Sequence, residues 1–145
     1  MKNNIQEDYC SFEVSKLLAE KGFEIHTSSA YSRKGKLISN LSHSYLSDGH
    51  YIYVGQSMMK IKDYMDEFHG GEQKLYYITT HAVAIKWIRE NFNWNVEAGY
   101  RIIQKDYRGA VYPLNPSGEI HLTGVFKTNE EATEAALLYA LNNLI

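Results

Sequence analysis

A chain of 145 residues and 16.7 kDa has room for one compact domain, or at most two very small ones, and excludes a large modular enzyme. Hydrophobic residues at 44%, charged residues at 22%, and only 2 prolines and 10 glycines exclude long disorder. Fifteen Lys+Arg against seventeen Asp+Glu give a net charge of −2, so there is no global basic field to attract duplex nucleic acid or an anionic membrane.

The single cysteine, Cys10, excludes an intramolecular disulfide and a cysteine-based zinc site. Met1 to Asp8 are polar, and no apolar run approaches a membrane span, so a cytoplasmic protein is expected. Residues 1–10 are expected to form a flexible N-terminus and residues 11–145 a single α+β domain.

The first element is a helix over Phe12 to Lys21, capped by Ser11, burying Val14, Leu17 and Leu18 and stopped by Gly22. Phe23 and Ile25 alternate with Glu24 and His26 as in a strand, and Ser32-Arg33-Lys34-Gly35 turns into Leu37 to Leu41. Asp48-Gly49 is the strongest hairpin signal, followed by the strand-forming run Tyr51 to Val54. From Met58, the spacing of Ile61, Met65 and Phe68 predicts a short amphipathic helix ending at Gly70-Gly71.

Lys74 to Ile78 reads as extended, after which Thr79 or Thr80 caps a helix that buries Ala84, Ile85, Ile88 and Phe92. Val96, Ala98, Tyr100 and Ile102 alternate with Glu97, Gly99, Arg101 and Ile103, the pattern of a strand with one buried face. A turn over Lys105 to Gly109, a strand over Ala110 to Tyr112 and a turn at Asn115 to Gly118 lead to a third strand, with Ile120, Leu122 and Phe126 facing inward. Thr128 and Glu131 form a capping box for a last helix running to about Leu141, whose small residues Ala132, Ala135 and Ala136 allow close approach to a sheet. The fold class is α+β, antiparallel sheet with helices packed on one face. The first half can also be read as a second helix, three strands, helix unit.

Three stretches carry a resemblance: Ser11-Phe12-Glu13-Val14 through Lys21-Gly22-Phe23, Thr80-His81 through Lys86-Trp87-Ile88-Arg89-Glu90, and Phe126-Lys127-Thr128 through Leu144-Ile145. Together they resemble a group of small uncharacterised proteins from phages and mobile elements of Bacteroidetes. The resemblance implies a phage-like setting and transfers no catalytic residue or cofactor. The order helix, three-strand meander, helix is also that of a double-stranded RNA-binding domain. However, Glu130, Glu131 and Glu134 stand where such a domain needs cations, which argues against duplex binding.

Six histidines, His26, His43, His50, His69, His81 and His121, show no close ligand spacing, and no metal site is expected. His43 between Ser42 and Ser44 reads as loop composition, Cys10 as a buried small residue, and no paired acid and base or phosphate-cradling glycine loop is visible. No catalytic residue and no cofactor are therefore assigned. Twelve tyrosines are the compositional oddity. Tyrosine is favoured at interfaces because it gives large contact area at little rotamer cost, although half-buried strand positions account for part of the excess.

Tyr100, Arg101, Tyr107, Arg108 and Tyr112, with Lys105, combine aromatic and basic character suited to stacking a base and pairing a phosphate. Thr79, Thr80 and His81 add a helix N-terminus, where free amides attract anions. The expected function is a non-catalytic accessory protein that binds a host protein through a tyrosine-rich sheet surface, with a homo-oligomer as a candidate assembly. The alternatives are sequestration of an anionic, cyclic nucleotide signal in anti-defence, and a small hydrolase.

Overall fold

In the computed structural model, residues 8–54, 57–69 and 75–145 are described. In chain order the elements are α1 (Phe12–Glu20), β1 (Ala30–Tyr31), β2 (Leu37–Ile38), β3 (His43–Leu46), β4 (Gly49–Val54), β5 (Ser57–Lys60) and α2 (Ile61–His69). They are followed by β6 (Tyr76–Tyr77), α3 (His81–Phe92), β7 (Trp94–Arg101), β8 (Asp106–Pro113), β9 (His121–Phe126) and α4 (Asn129–Asn143). The fold is mixed α+β, with three small antiparallel sheets in the orders β2-β1-β6, β3-β4-β5 and β7-β8-β9. Two compact units emerge: Met1–Phe23 with Thr79–Ile145, and Glu24–Ile78.

In the first unit the local rules act as the sequence predicts at the helix ends. The Ser11 hydroxyl accepts from the Val14 amide at 3.2 Å, and Gly22 at φ +96° takes the left-handed stop that a side chain would oppose. Thr80 caps α3 and Thr128 caps α4 in the same way. The apolar stripes of α3 and α4 meet the β7-β8-β9 meander and that of α1 meets α4, in a core that includes Val14, Leu18, Ala84, Ile88, Val96, Val111, Leu137 and Leu141. The close approach expected of the alanine-rich helix occurs at Gly109: a Cβ there would lie 2.5 Å from the Ala132 carbonyl oxygen and 2.9 Å from the Ala136 Cβ.

Several expectations are corrected. Phe23 is not in a strand; it is buried in this core, edge-on to Trp87 with ring centroids 5.3 Å apart, while Ile25 is exposed. The β7-β8 turn comes earlier than Lys105 to Gly109, because β7 ends at Arg101 and β8 already starts at Asp106. Leu122 on β9 and Ile120 just before it face solvent. The register shifts between Arg108 and Ala110, so Thr123 and Gly124 together oppose Gly109 and the alternation changes phase within the strand. His121 takes the inner position opposite Val111 and hydrogen-bonds the Tyr139 hydroxyl at 3.0 Å.

The second unit holds the other two sheets and α2, with a small core of Ala30, Leu41 and Leu75. The Ser32–Gly35 turn is present: the Gly35 amide donates to the Ser32 carbonyl at 2.9 Å, joining β1 to β2. The Asp48-Gly49 signal also lies at a hairpin turn, with Leu46 opposite Gly49. The helix expected from Met58 starts three residues later. Residues Ser57–Lys60 instead pair with β4, with Met59 opposite the fully buried Ile52, so sheet pairing overrides helical periodicity in this short run. The expected stop at Gly70-Gly71 and the residue Lys74 lie outside the described residues.

Among the described residues, the order helix, three strands, helix is found in the second half and not in the first. α1 packs on α4, and the strands of the first half are divided between two sheets.

Candidate functional site

The β7-β8 hairpin carries the Arg/Tyr cluster. Its eight paired positions run without a break from Trp94 opposite Pro113 to Arg101 opposite Asp106. At the last pair the Arg101 guanidinium donates from Nε to Asp106 Oδ1 at 2.6 Å and from Nη2 to Oδ2 at 2.7 Å. This bidentate geometry fixes direction as well as distance. The guanidinium beside it holds the Asp106 carboxyl below the usual carboxylate range. Lys105 closes the loop in the left-handed region at φ 55°, with its amide donating to the Arg101 carbonyl at 2.8 Å.

The clamp leaves Ile102 and Ile103 outside the strand, 80% and 88% exposed. Two β-branched apolar side chains are thus displayed side by side on a short braced loop, where burial against the protein itself contributes almost nothing. Behind them the Tyr100 and Tyr107 rings pack at 5.0 Å, tilted by 52°, and Tyr107 pairs in turn with Phe126.

Strand parity separates the predicted cluster into two groups. Tyr100 and Tyr107 share the face of Val96 and Val111. Arg101, Arg108 and Tyr112 lie on the opposite face, together with Leu122 and Val125 of β9, both exposed. On that face Asn95 Nδ2 donates to the Tyr112 hydroxyl at 2.7 Å, and the hydroxyl donates to Glu97 Oε2 at 3.0 Å. Burial, followed by the Glu97 contact, pushes the Tyr112 phenol up. Arg108 Nε is buried without a hydrogen-bond partner.

The predicted helix start is a separate place. Thr79 is buried and its carbonyl accepts from the Cys10 amide at 2.9 Å. The Thr80 hydroxyl accepts from the Val83 amide at 3.3 Å, and the His81 amide donates to the Asp8 carbonyl at 2.9 Å. Asp8 to Cys10, within the expected flexible N-terminus, are therefore tied to this helix start, while residues 1–7 lie outside the described residues. An open cleft of about 320 Å³ is lined by Asp8, Thr80, His81, Ala82, Ile85, Asn129 and Thr133. None of Tyr100, Arg101, Tyr107, Arg108 and Tyr112 lines it.

Within the same unit His81 Nε2 lies 2.6 Å from Glu134 Oε2, and Glu134 Oε1 accepts from the Ser11 amide at 3.1 Å. Burial raises the Glu134 pKa, but these hydrogen bonds outweigh it and hold the carboxyl below its ordinary value. The thiol of Cys10 is 1% exposed and pushed up to about 12 by burial and then by Glu134, so it stays protonated and is a poor nucleophile. The Thr80 hydroxyl is engaged as a cap.

Sequence reasoning missed a cluster in the second unit. His43 Nε2 donates to the Thr27 carbonyl at 2.7 Å, and His43 Nδ1 lies 2.8 Å from His50 Nε2. The His26 ring stacks on His50 at 4.3 Å, with Nδ1 2.7 Å from the Tyr45 hydroxyl. The ring of Tyr77 lies 4.7 Å from that of His26, and its hydroxyl is buried without a partner. Burial, then the neighbouring imidazoles, lowers the His50 pKa to about 4. The signal was the Asp48-Gly49 turn: its register sets Tyr45 opposite His50 and His43 opposite Ile52, which makes His43 and His50 diagonal neighbours on one face. Among the described residues no group of three or more His, Cys, Asp or Glu side chains is arranged to hold a metal ion, and no helix is long and apolar enough to cross a membrane.

No family model, no curated protein and no solved structure matches the chain.

Proposed function

We propose that the chain is a non-catalytic binding protein that engages another protein through the tip of the β7-β8 hairpin. The observation that carries this reading is the pair Ile102 and Ile103, 80% and 88% exposed on a loop braced by the Arg101–Asp106 clamp. Displaying apolar side chains on a preorganised loop lowers the ordering cost of association, and a few such anchors can dominate an interface. The adjoining Tyr100–Tyr107 pair adds rigid contact area. The resemblance to proteins of phages and mobile elements makes a cytoplasmic host protein the partner class.

Nucleotide capture is less well supported. Arg101 is committed to Asp106, and the cleft at the α3 start contains none of the Arg/Tyr cluster and includes Asp8, whose charge opposes a phosphate. Affinity capture with the intact chain and with the double variant Ile102→Asp/Ile103→Asp tests the proposal. A partner retained by the first and lost by the second, with the melting temperature unchanged, is expected. Equal recovery contradicts it. A ligand at a hundred times its Kd adds about 2.7 kcal/mol of stability, so a clear thermal shift with a linear or cyclic nucleotide would favour the alternative.

A further inference from the structure

We infer that the surface received by the hairpin tip is an apolar protein pocket rimmed by carboxylates. The inference rests on the protein-binding reading and specifies what the partner presents.

The chain as a whole is acidic, with a net charge of −2, yet this end of the meander has the opposite sign. Residues 100–108 and 125–127 contain four cations, Arg101, Lys105, Arg108 and Lys127, against one carboxylate, Asp106. Register brings the two segments together, with Arg108 opposite Val125 and Tyr107 opposite Phe126. Arg101 and Asp106 neutralise each other through the bidentate clamp. Lys105 and Lys127, both exposed, are left as the cations at this end, while Arg108 also faces Asp106 and the next carboxylates, Glu130 and Glu131, lie beyond them on α4.

Carboxylates are the groups that the exposed Lys105 and Lys127 would meet at the rim of such a pocket. Apolar anchors at the centre with charged groups around them also match the core and rim of protein interfaces, and complementary charge steers encounter and excludes wrong partners.

A bilayer is the competing acidic surface. Two isoleucine side chains bury less apolar area than a single myristoyl chain, which by itself gives only marginal, reversible anchoring. The same two side chains suffice as central anchors of a protein interface. The observations therefore favour a protein.

The test places a photoreactive amino acid at Gln104, which leaves both isoleucines intact, and reads crosslinked adducts of the full chain in cells. Three backgrounds are compared: the otherwise native chain, Ile102→Asp/Ile103→Asp, and Lys105→Asn/Lys127→Glu. Asparagine is chosen at 105 because it tolerates the left-handed backbone found there. The expected result is a discrete protein adduct that is lost with the isoleucines and reduced at least tenfold by the charge variant, with melting temperatures unchanged. Its crosslinked peptide should carry Asp or Glu beside apolar residues.

An adduct that depends on the isoleucines and ignores the charge variant overturns this inference and leaves the protein-binding reading standing. No isoleucine-dependent adduct overturns both. Co-sedimentation of the purified chain with vesicles of 70% phosphatidylcholine and 30% phosphatidylserine, about the anionic content expected of a charged cytoplasmic leaflet, overturns the inference in favour of a membrane surface.

Discussion

His43 and His50 share one proton position: His43 Nδ1 and His50 Nε2 lie 2.8 Å apart, while His43 Nε2 is already committed to the Thr27 carbonyl. A carbonyl only accepts, so Nε2 carries hydrogen, and the contact between the rings has room for a single further one. The pair can hold one excess charge and not two. His26, stacked on His50, is held below its ordinary pKa by burial first and then by the charge of His43. Around it stand Tyr45, Tyr77 and His43, with Glu24 the carboxylate that partly offsets the effect on His26.

A pH dependence follows. Both His26 and His50 have folded-state pKa values below the ordinary 6.5, that of His50 at about 4. Between those values the unfolded chain binds more protons than the folded one, so stability is full above pH 6.5 and falls as pH drops toward 4. Partial exposure of the rings screens the effect. Hydrogen exchange followed by mass spectrometry should show β3 and β4 losing protection between pH 7 and 4.5, with β7 to β9 less affected. His50→Gln should flatten that response, and an unaltered slope in the variant counts against the shared-proton arrangement.

Gly109 and Gly99 make a matched pair. A methyl group at 109 would press into the Ala132 carbonyl and the Ala136 side chain, whereas at 99 it meets nothing within 4 Å. Gly109→Ala should therefore destabilise by roughly 1–3 kcal/mol, the usual cost of overpacking. Gly99→Ala should be neutral or mildly stabilising. Urea melts distinguish the two, and equal effects would contradict the tight helix-sheet contact.

Cys10 should be chemically silent. Because its thiol is buried and pushed up to about 12, iodoacetamide at pH 8 should label the native chain far more slowly than the chain in denaturant. Rapid native labelling, followed by intact mass, would show that the α1 start opens easily.

The Arg101 fork matters by its shape. Arg101→Lys keeps the charge but loses the two-point contact with Asp106. Amides of residues 102–105 should then exchange faster while the global melting temperature stays close to that of the native chain. Unchanged exchange at the tip would mean that the loop is braced by its backbone alone.

Helix ends were the most legible parts of the sequence, because Ser11, Thr80, Thr128 and Gly22 act through local chemistry that does not depend on distant contacts. The core stripes of α1 and α3 were legible from their periodicity, whereas on α4 only Ala132 and Ala136 of the expected inner face are buried, and Leu137, Ala140 and Leu141 complete it. What escaped depends on pairing across strands. The bulge at Thr123-Gly124 reverses the phase of β9, Ser57–Lys60 joins β4 instead of α2, and Phe23 leaves its apparent strand to pack on Trp87.

The candidate site was half legible. The Arg/Tyr composition of the hairpin was visible, but its division between two faces was not. Ile102 and Ile103 looked like the end of an alternating strand until the Arg101–Asp106 clamp placed them in the turn. The histidine cluster required the register of the β3-β4 hairpin, which composition does not supply.

The most direct measurement is photocrosslinking in cells from two exposed positions of the same chain, Gln104 at the hairpin tip and Lys86 on α3. Binding through the tip predicts one discrete protein adduct from position 104 and none from position 86. The same adduct from both positions, or none from 104, would contradict it.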